Sequence, residues 1–302
     1  MLGIYPKGWR IPLTYRRGAV EREIVVRLTG VHPTKKLVEM IQGPSGPAAP
    51  DGPPNPRRER RRPGEPGAPD DEEKPRSAPV QPVTLPAANV PKKYSHMFEK
   101  KYGFVNYYFN RLKRDQIWKG MLQHGDFSKQ DPTWRLTGTD GKGKKIEIVL
   151  GELQSGFKSE EETWVVDTTQ NLADQIQEDN SGLLVAMHVW RKMLVEGPER
   201  FGQVHYFGSV PLFNRPAKVD ILVGTIDITE SNFMFDDKSR RLVAMEMFGD
   251  VDELPHELNF EDFQIDGQLS VPGLISYAYG DTSRQFRITQ IEFIRSSKET
   301  DE

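Results

Sequence analysis

Between Gly43 and Pro91 lie fourteen of the chain's 23 prolines. The same stretch holds a basic run, Arg57-Arg58-Glu59-Arg60-Arg61-Arg62, and an acidic run, Asp70-Asp71-Glu72-Glu73. So few of its residues are bulky and apolar that burial cannot offset the entropy of ordering them. The composition predicts a disordered linker, extended where proline is dense. It separates residues 1–42 from residues 92–302. The shorter piece is near the lower size limit for an independent fold, and without cysteine it has no disulfide to staple it. The expected order is the tail of one domain, a tether and one complete domain.

Several function classes drop out on composition. No cysteine among 302 residues excludes disulfides, Cys-based zinc sites and thiol catalysis. A formal charge of −3 and a sequence pI near 6.1 give no general drive toward nucleic acid or an anionic membrane. No apolar run reaches the ~18 to 20 residues of a transmembrane helix. The first residues, Met1 to Arg10, lack the basic start and apolar core of a signal peptide, so the sequence as written carries no export signal.

Residues 1–42 read as a β-hairpin. Trp9, Ile11, Leu13 and Tyr15 alternate with polar neighbours, Arg17-Gly18 marks a turn, and Ile24 to Leu28 form the returning strand. Pro12 places the first strand at a sheet edge. Two strands alone are marginal in water, so a partner surface is missing.

Beyond the linker, Asn106 to Trp118 is a helical window, with Phe109 and Leu112 on its apolar stripe and Arg111, Lys113, Arg114 and Asp115 opposite. Short strands follow at Trp134–Thr137, Lys145–Leu150 and Thr163–Val166. The clearest element is a helix from Ser181 to Glu196. Leu183, Met187, Trp190 and Leu194 share one face, and Val185, Ala186, Val189 and Met193 widen it. Arg191 and Lys192 remain as its main wet positions, and Gly197-Pro198 stops it. A helix this apolar is buried on most sides.

The remainder is strand-like: Val204–Val210, Val219–Thr225, Ile228–Phe235, Leu242–Phe248, Leu258–Ile265, Gln268–Val271, Leu274–Tyr279 and Phe286–Phe293. The connections are too short for parallel crossovers, so an antiparallel meander is expected. Alternation slips by one residue within Leu258–Ile265 and again within Phe286–Phe293, which predicts β-bulges and a bent sheet. The fold class is α+β, a strongly curved antiparallel sheet with a buried helix in its hollow.

Two resemblances follow from these segments. Ile4, Gly8, Ile11 to Tyr15, Arg17-Gly18 and Glu23 to Leu28 together resemble the last part of a PDZ domain of HtrA-type trypsin-like serine proteases. That family's carboxylate-binding loop has no counterpart here, and no residue matches its Ser-His-Asp triad. Separately, Phe235-Asp236-Asp237-Lys238, Leu242 to Phe248, and Phe260 to Gly267 with Pro272 are similar to the C-terminal half of lipoprotein-carrier-like (LolA/LolB-type) domains. Asn106 to Leu112 and Asp126-Phe127 resemble C-terminal extensions of large planctomycete-like bacterial proteins of the trypsin/PDZ type. The carrier resemblance implies an incomplete antiparallel barrel with helices plugging a hydrophobic cavity, and periplasmic or envelope residence.

Candidate chemistry divides as follows. Asp250, Asp252, Glu253, His256 and Glu257 form the densest set of oxygen and nitrogen ligands, yet the spacing matches no EF-hand and Pro255 favours a solvated loop. His188 and His205 read as structural histidines, since no triad can be assembled around either. The Arg57–Arg62 run has no interleaved aromatics for base stacking and reads as a spacer. Met187, Trp190, Met193, Met234, Met245 and Met247 form a methionine-rich apolar set that reads as plain core or, because methionine adapts its shape, as the wall of a pocket. The expected lining is Met187, Trp190, Leu194, Phe233, Phe235, Met245 and Met247.

No catalytic residue, cofactor or metal ligand is assigned. The leading expectation is a non-catalytic accessory region of a trypsin-like/PDZ protease carrying a carrier-like domain. The alternative is a stand-alone protein that binds a lipid or another apolar ligand. Expected partners are that ligand and the protease/PDZ portion, with no nucleic acid.

Overall fold

The computed structural model describes residues 10–27, 91–176, 180–212, 218–250 and 253–295. The chain divides into two compact units, residues 1–31 with 96–302, and residues 32–95. In the second unit residues 91–95 are described, and there Tyr94 N–H donates to the Pro91 carbonyl. The expected linker lies outside the described residues except for Pro91, and so do Trp9 and Leu28 of the expected hairpin.

The hairpin pairs β1 (Arg10–Arg17) with β2 (Val20–Arg27), with Arg17 opposite Val20. Its turn opens on Gly18, whose φ of 66° lies where a side chain would be strained. These two strands form a sheet of their own.

Residues 96–302 begin with α1 (Tyr108–Met121). Four strands follow: β3 (Thr133–Asp140), β4 (Lys145–Leu150), β5 (Gln154–Ser159) and β6 (Thr163–Asp167). A short α2 (Leu172–Gln175) leads to α3 (Asn180–Arg200). The meander then runs through β7 (Gln203–Pro211), β8 (Lys218–Ile226), β9 (Thr229–Asp236), β10 (Leu242–Phe248) and β11 (His256–Glu261). A small pair, β12 (Gln264–Asp266) with β13 (Leu269–Val271), precedes β14 (Leu274–Tyr279) and the long β15 (Thr282–Ile294).

Eleven strands form one antiparallel sheet in the order β6-β5-β4-β3-β15-β14-β11-β10-β9-β8-β7. Helix α3 packs against β4, β5, β6, β7, β10 and β11, a set that includes both edge strands. Laid flat, eleven strands at about 4.8 Å spacing would hold β6 and β7 about 48 Å apart. A helix is only about 10 Å across, so it reaches both edges only if the sheet curls round it. The edges do not pair with each other, and the shell stays open.

The predicted bend at β15 is a bulge between Ile288 and Gln290 against β3. Gly138 sits opposite, where a Cβ would lie 2.0 Å from the Arg287 carbonyl oxygen. The slip within Leu258–Ile265 is different. Strand β11 ends at Glu261, Asp262 takes a φ of 50°, and the chain leaves for the β12–β13 pair. A strand end and a left-handed residue produce the same phase change as a bulge. β5 was not foreseen, because Phe157 is the one large apolar residue in Gln-Ser-Gly-Phe-Lys-Ser.

Two helical expectations need correction. Phe109 and Leu112 are 58% and 52% exposed, while Arg114, Ile117 and Met121 form the buried face of α1. Arg191 is buried, with its Nε donating to the Pro132 carbonyl 2.6 Å away. The wrapped sheet leaves α3 too little open surface for a wet side there. The predicted stop holds: Gly197 has φ 67° and ψ 172°, and its missing Cβ leaves room for the Trp118 ring.

Candidate functional site

The concave face is built by alternation. On β9, Phe233 and Phe235 point inward, and on β10 Met245 and Met247 do the same, with Met245 directly opposite Phe233. Gly224 on β8 makes space for the ring of Phe233 and for Phe201, which meets it edge-on at 5.3 Å. Helix α3 presents Met187, Trp190 and Leu194 to the same core. Trp190 stacks on Phe260 at 5.0 Å and meets Trp134 edge-on at 5.4 Å.

All seven residues expected as lining are thus buried in one continuous apolar cluster, three on α3 and four on β9 and β10. A cavity of about 230 Å³ opens elsewhere, lined by residues of β12, β13 and β15 such as Ile265, Pro272 and Gln290. None of the seven borders it. Met193 joins the main core, whereas Met234 faces the opposite side of the sheet with Val219, Ile221, Val223 and Val243. Strands β8 to β10 are therefore apolar on both faces.

The interior carries few polar groups. Trp134 Nε1 and Ser155 Oγ are buried without a hydrogen-bond partner among the described residues. Register places them on one inner row, Trp134 opposite Leu150 and Leu150 opposite Ser155. His188 is buried, its Nδ1 lying 3.2 Å from the Gly151 carbonyl, to which it donates. Burial pushes its pKa down to about 4, with Arg191 and Lys192 adding to the effect. Its partner is a backbone carbonyl, an arrangement that orients a ring without activating a nucleophile. His205 is half-buried beside Phe104, its pKa also lowered by burial.

Two further polar centres lie in the interior; the sequence reading placed His256 in a solvated loop and did not single out Asp220. His256 begins β11 fully buried, so the loop reading of Asp250–Glu257 fails at this residue. Its Nδ1 lies 2.8 Å from Tyr277 Oη, and its ring stacks on Tyr279 at 4.2 Å. Gly182 of α3 admits that ring, since a Cβ there would lie 2.1 Å from His256 Cε1. Among the described residues no group of three or more His, Asp or Glu forms a metal cluster. Asp252 lies outside the described residues.

The second centre is Asp220, whose side chain is 3% exposed. It accepts from Arg240 and Ser209 and lies 3.3 Å from Lys113 Nζ on α1. Burial alone would raise its pKa, but the Ser209 hydroxyl, Arg240 and Lys113 hold it below the usual carboxylate range. A lone carboxylate in the apolar run Val219-Asp-Ile-Leu-Val223 was the available signal.

No family model matches the chain, and no curated protein sequence matches it. Solved structures similar to it include a putative outer membrane lipoprotein-sorting protein domain from Vibrio parahaemolyticus. That likeness has 8% identity and a TM-score of 0.39 over 65% of this chain and 97% of the other. A LolA superfamily protein from Nitrosomonas europaea is similar at 9% identity and TM-score 0.37, covering 61% of this chain and 94% of that one. A DUF1329 family protein from Desulfovibrio piger ATCC 29098 is similar at 6% identity and TM-score 0.37, over 59% and 92% respectively.

Proposed function

We propose that the domain is a non-catalytic binding protein for an apolar ligand, taken up between α3 and the concave face of the sheet. The carrying observation is a sheet curled round an apolar helix whose edge strands, β6 and β7, do not pair. Such a shell can widen without breaking a strand ladder. Met187, Met193, Met245 and Met247 supply walls that repack at low cost when a guest enters. Trp134 Nε1 and Ser155 Oγ offer donors to an acceptor group on the guest, such as a carboxylate, ester or hydroxyl. Envelope residence belongs to the same reading. The accessory-protease reading rests on the β1–β2 hairpin and the sequence resemblance of Asn106 to Leu112 and Asp126-Phe127, and it is the weaker of the two.

Native mass spectrometry of gently purified protein is the test. The expected result is co-purifying lipid, or uptake of a hydrophobic dye that a fatty acid displaces. An apo mass with no dye uptake would reject the proposal.

A further inference from the structure

One surface exposes large apolar side chains. Tyr102, Val105, Phe109 and Leu112 are 92%, 77%, 58% and 52% exposed. Phe109 and Leu112, three apart on α1, share its outer face, and Tyr102 and Val105 lie in the turn and link that precede it. Phe207, on the neighbouring edge strand β7, is 66% exposed as well.

The exposure is held in place by structure. Phe104 N–H donates to the Lys101 carbonyl at 3.1 Å, and Gly103 has the φ of 82° that the third position of a type II turn requires. Tyr102 is thereby fixed at a tip. Asn106 fastens the base of this turn: its amide donates to the Met97 carbonyl, and its Oδ1 accepts from the backbone N–H of Glu99 and Tyr108.

The charge around the stripe has one sign in excess. Residues 96–121 contain six cations, Lys100, Lys101, Arg111, Lys113, Arg114 and Lys119, against Glu99 and Asp115 within the segment and Asp220 and Glu199 packed on it. Arg111 and Arg114 are matched by carboxylates, and Lys113 by Asp220. Lys100 and Lys119 are exposed. Lys101 Nζ sits 4.0 Å over the Tyr107 ring.

We propose that the 101–104 turn and the outer face of α1 form a docking surface for an anionic lipid bilayer. Aromatic rings at a tip with lysines beside them match the headgroup region, where the rings enter the acyl boundary and the ammonium groups stay with the phosphates. Each lysine near a negatively charged surface strengthens binding, and salt weakens it. A protein partner would also cover apolar side chains, but the local excess of positive charge favours a negatively charged surface. This inference stands independently of the ligand site between α3 and the sheet.

Vesicle flotation with the full chain tests it, using phosphatidylcholine vesicles with and without phosphatidylglycerol. Wild type is expected to float with the anionic vesicles, less so at high salt, and weakly with the neutral ones. Tyr102→Ser with Phe109→Ser is expected to weaken binding by about tenfold or more, the factor that burial of one such ring supplies. Both side chains are exposed, so the thermal melt should be unchanged. Should the double variant fail to fold, Lys100→Glu with Lys119→Glu is expected to abolish the preference for anionic vesicles. No flotation of wild type, equal flotation of folded variants, or no preference for anionic lipid would overturn the proposal. So would a wild-type dimer in light scattering that becomes monomeric in the variant. Dye uptake measured without vesicles reports on the interior site separately.

Discussion

His188 is a buried titratable group whose protonation opposes folding. Its ordinary pKa of 6.5 falls to about 4 in the folded chain. Between those values the unfolded chain binds more protons, so stability is fully present above pH about 6.5 and is lost as pH falls through about 4. The full effect amounts to about 3 kcal/mol. Denaturant unfolding from pH 7 down to pH 4 should show this decline, and His188→Gln should flatten it. A His188→Gln profile parallel to wild type would contradict the assignment. Gly182 poses a steric question at the same scale. With a Cβ that would overlap the His256 ring, Gly182→Ala should cost about 1 to 3 kcal/mol through overpacking. Because the two residues touch, Gly182→Ala with His256→Ala should cost less than the sum of the single changes. Strict additivity, measured by equilibrium unfolding, would mean that α3 does not seat on this ring.

Strand edges decide what an open sheet does in solution, and β7 has a device for this. Asn110 on α1 turns its side-chain amide to the strand, donating to the Tyr206 carbonyl at 2.6 Å and accepting from Tyr206 N–H at 2.9 Å. Tyr107 Oη donates to the Val204 carbonyl nearby. The helix thus satisfies backbone groups that would otherwise recruit another strand. Asn110→Ala should lose about 1 to 3 kcal/mol and gain a tendency to associate. Light scattering and urea melts check both, and a variant equal to wild type in each would contradict the capping role. Elements of this kind were partly legible in the sequence. Lys145–Leu150, Leu242–Phe248 and Leu274–Tyr279 were read with their true boundaries, because alternation or apolar runs end there at turn residues. The outward face of α1 was misread because Phe109 and Leu112 look like core by type alone. What buries Arg114 instead is its pairing with Asp115 and Glu199, the latter on α3, a partner no local pattern reveals. The seven residues expected around a pocket all lie in the main apolar cluster. Their packing round α3 depends on sheet curvature, which a sequence expresses only through isolated bulges and glycines.

At the scale of the molecule, the buried members of the main apolar cluster among the described residues lie between Ile117 and Ile291. A fragment of residues 92–302 should therefore keep a cooperative melt, and loss of cooperativity in calorimetry would show that the core needs residues outside it. The central claim is that an apolar guest enters between α3 and the sheet. Photo-crosslinking with a diazirine-bearing fatty acid, followed by peptide mapping, tests it most directly. The account predicts saturable labelling confined to peptides from α3 around Met187 to Leu194 and from β9–β10 between Phe233 and Met247. Labelling that is unsaturable, or that appears only on the exposed stripe of Tyr102 to Leu112, would contradict it.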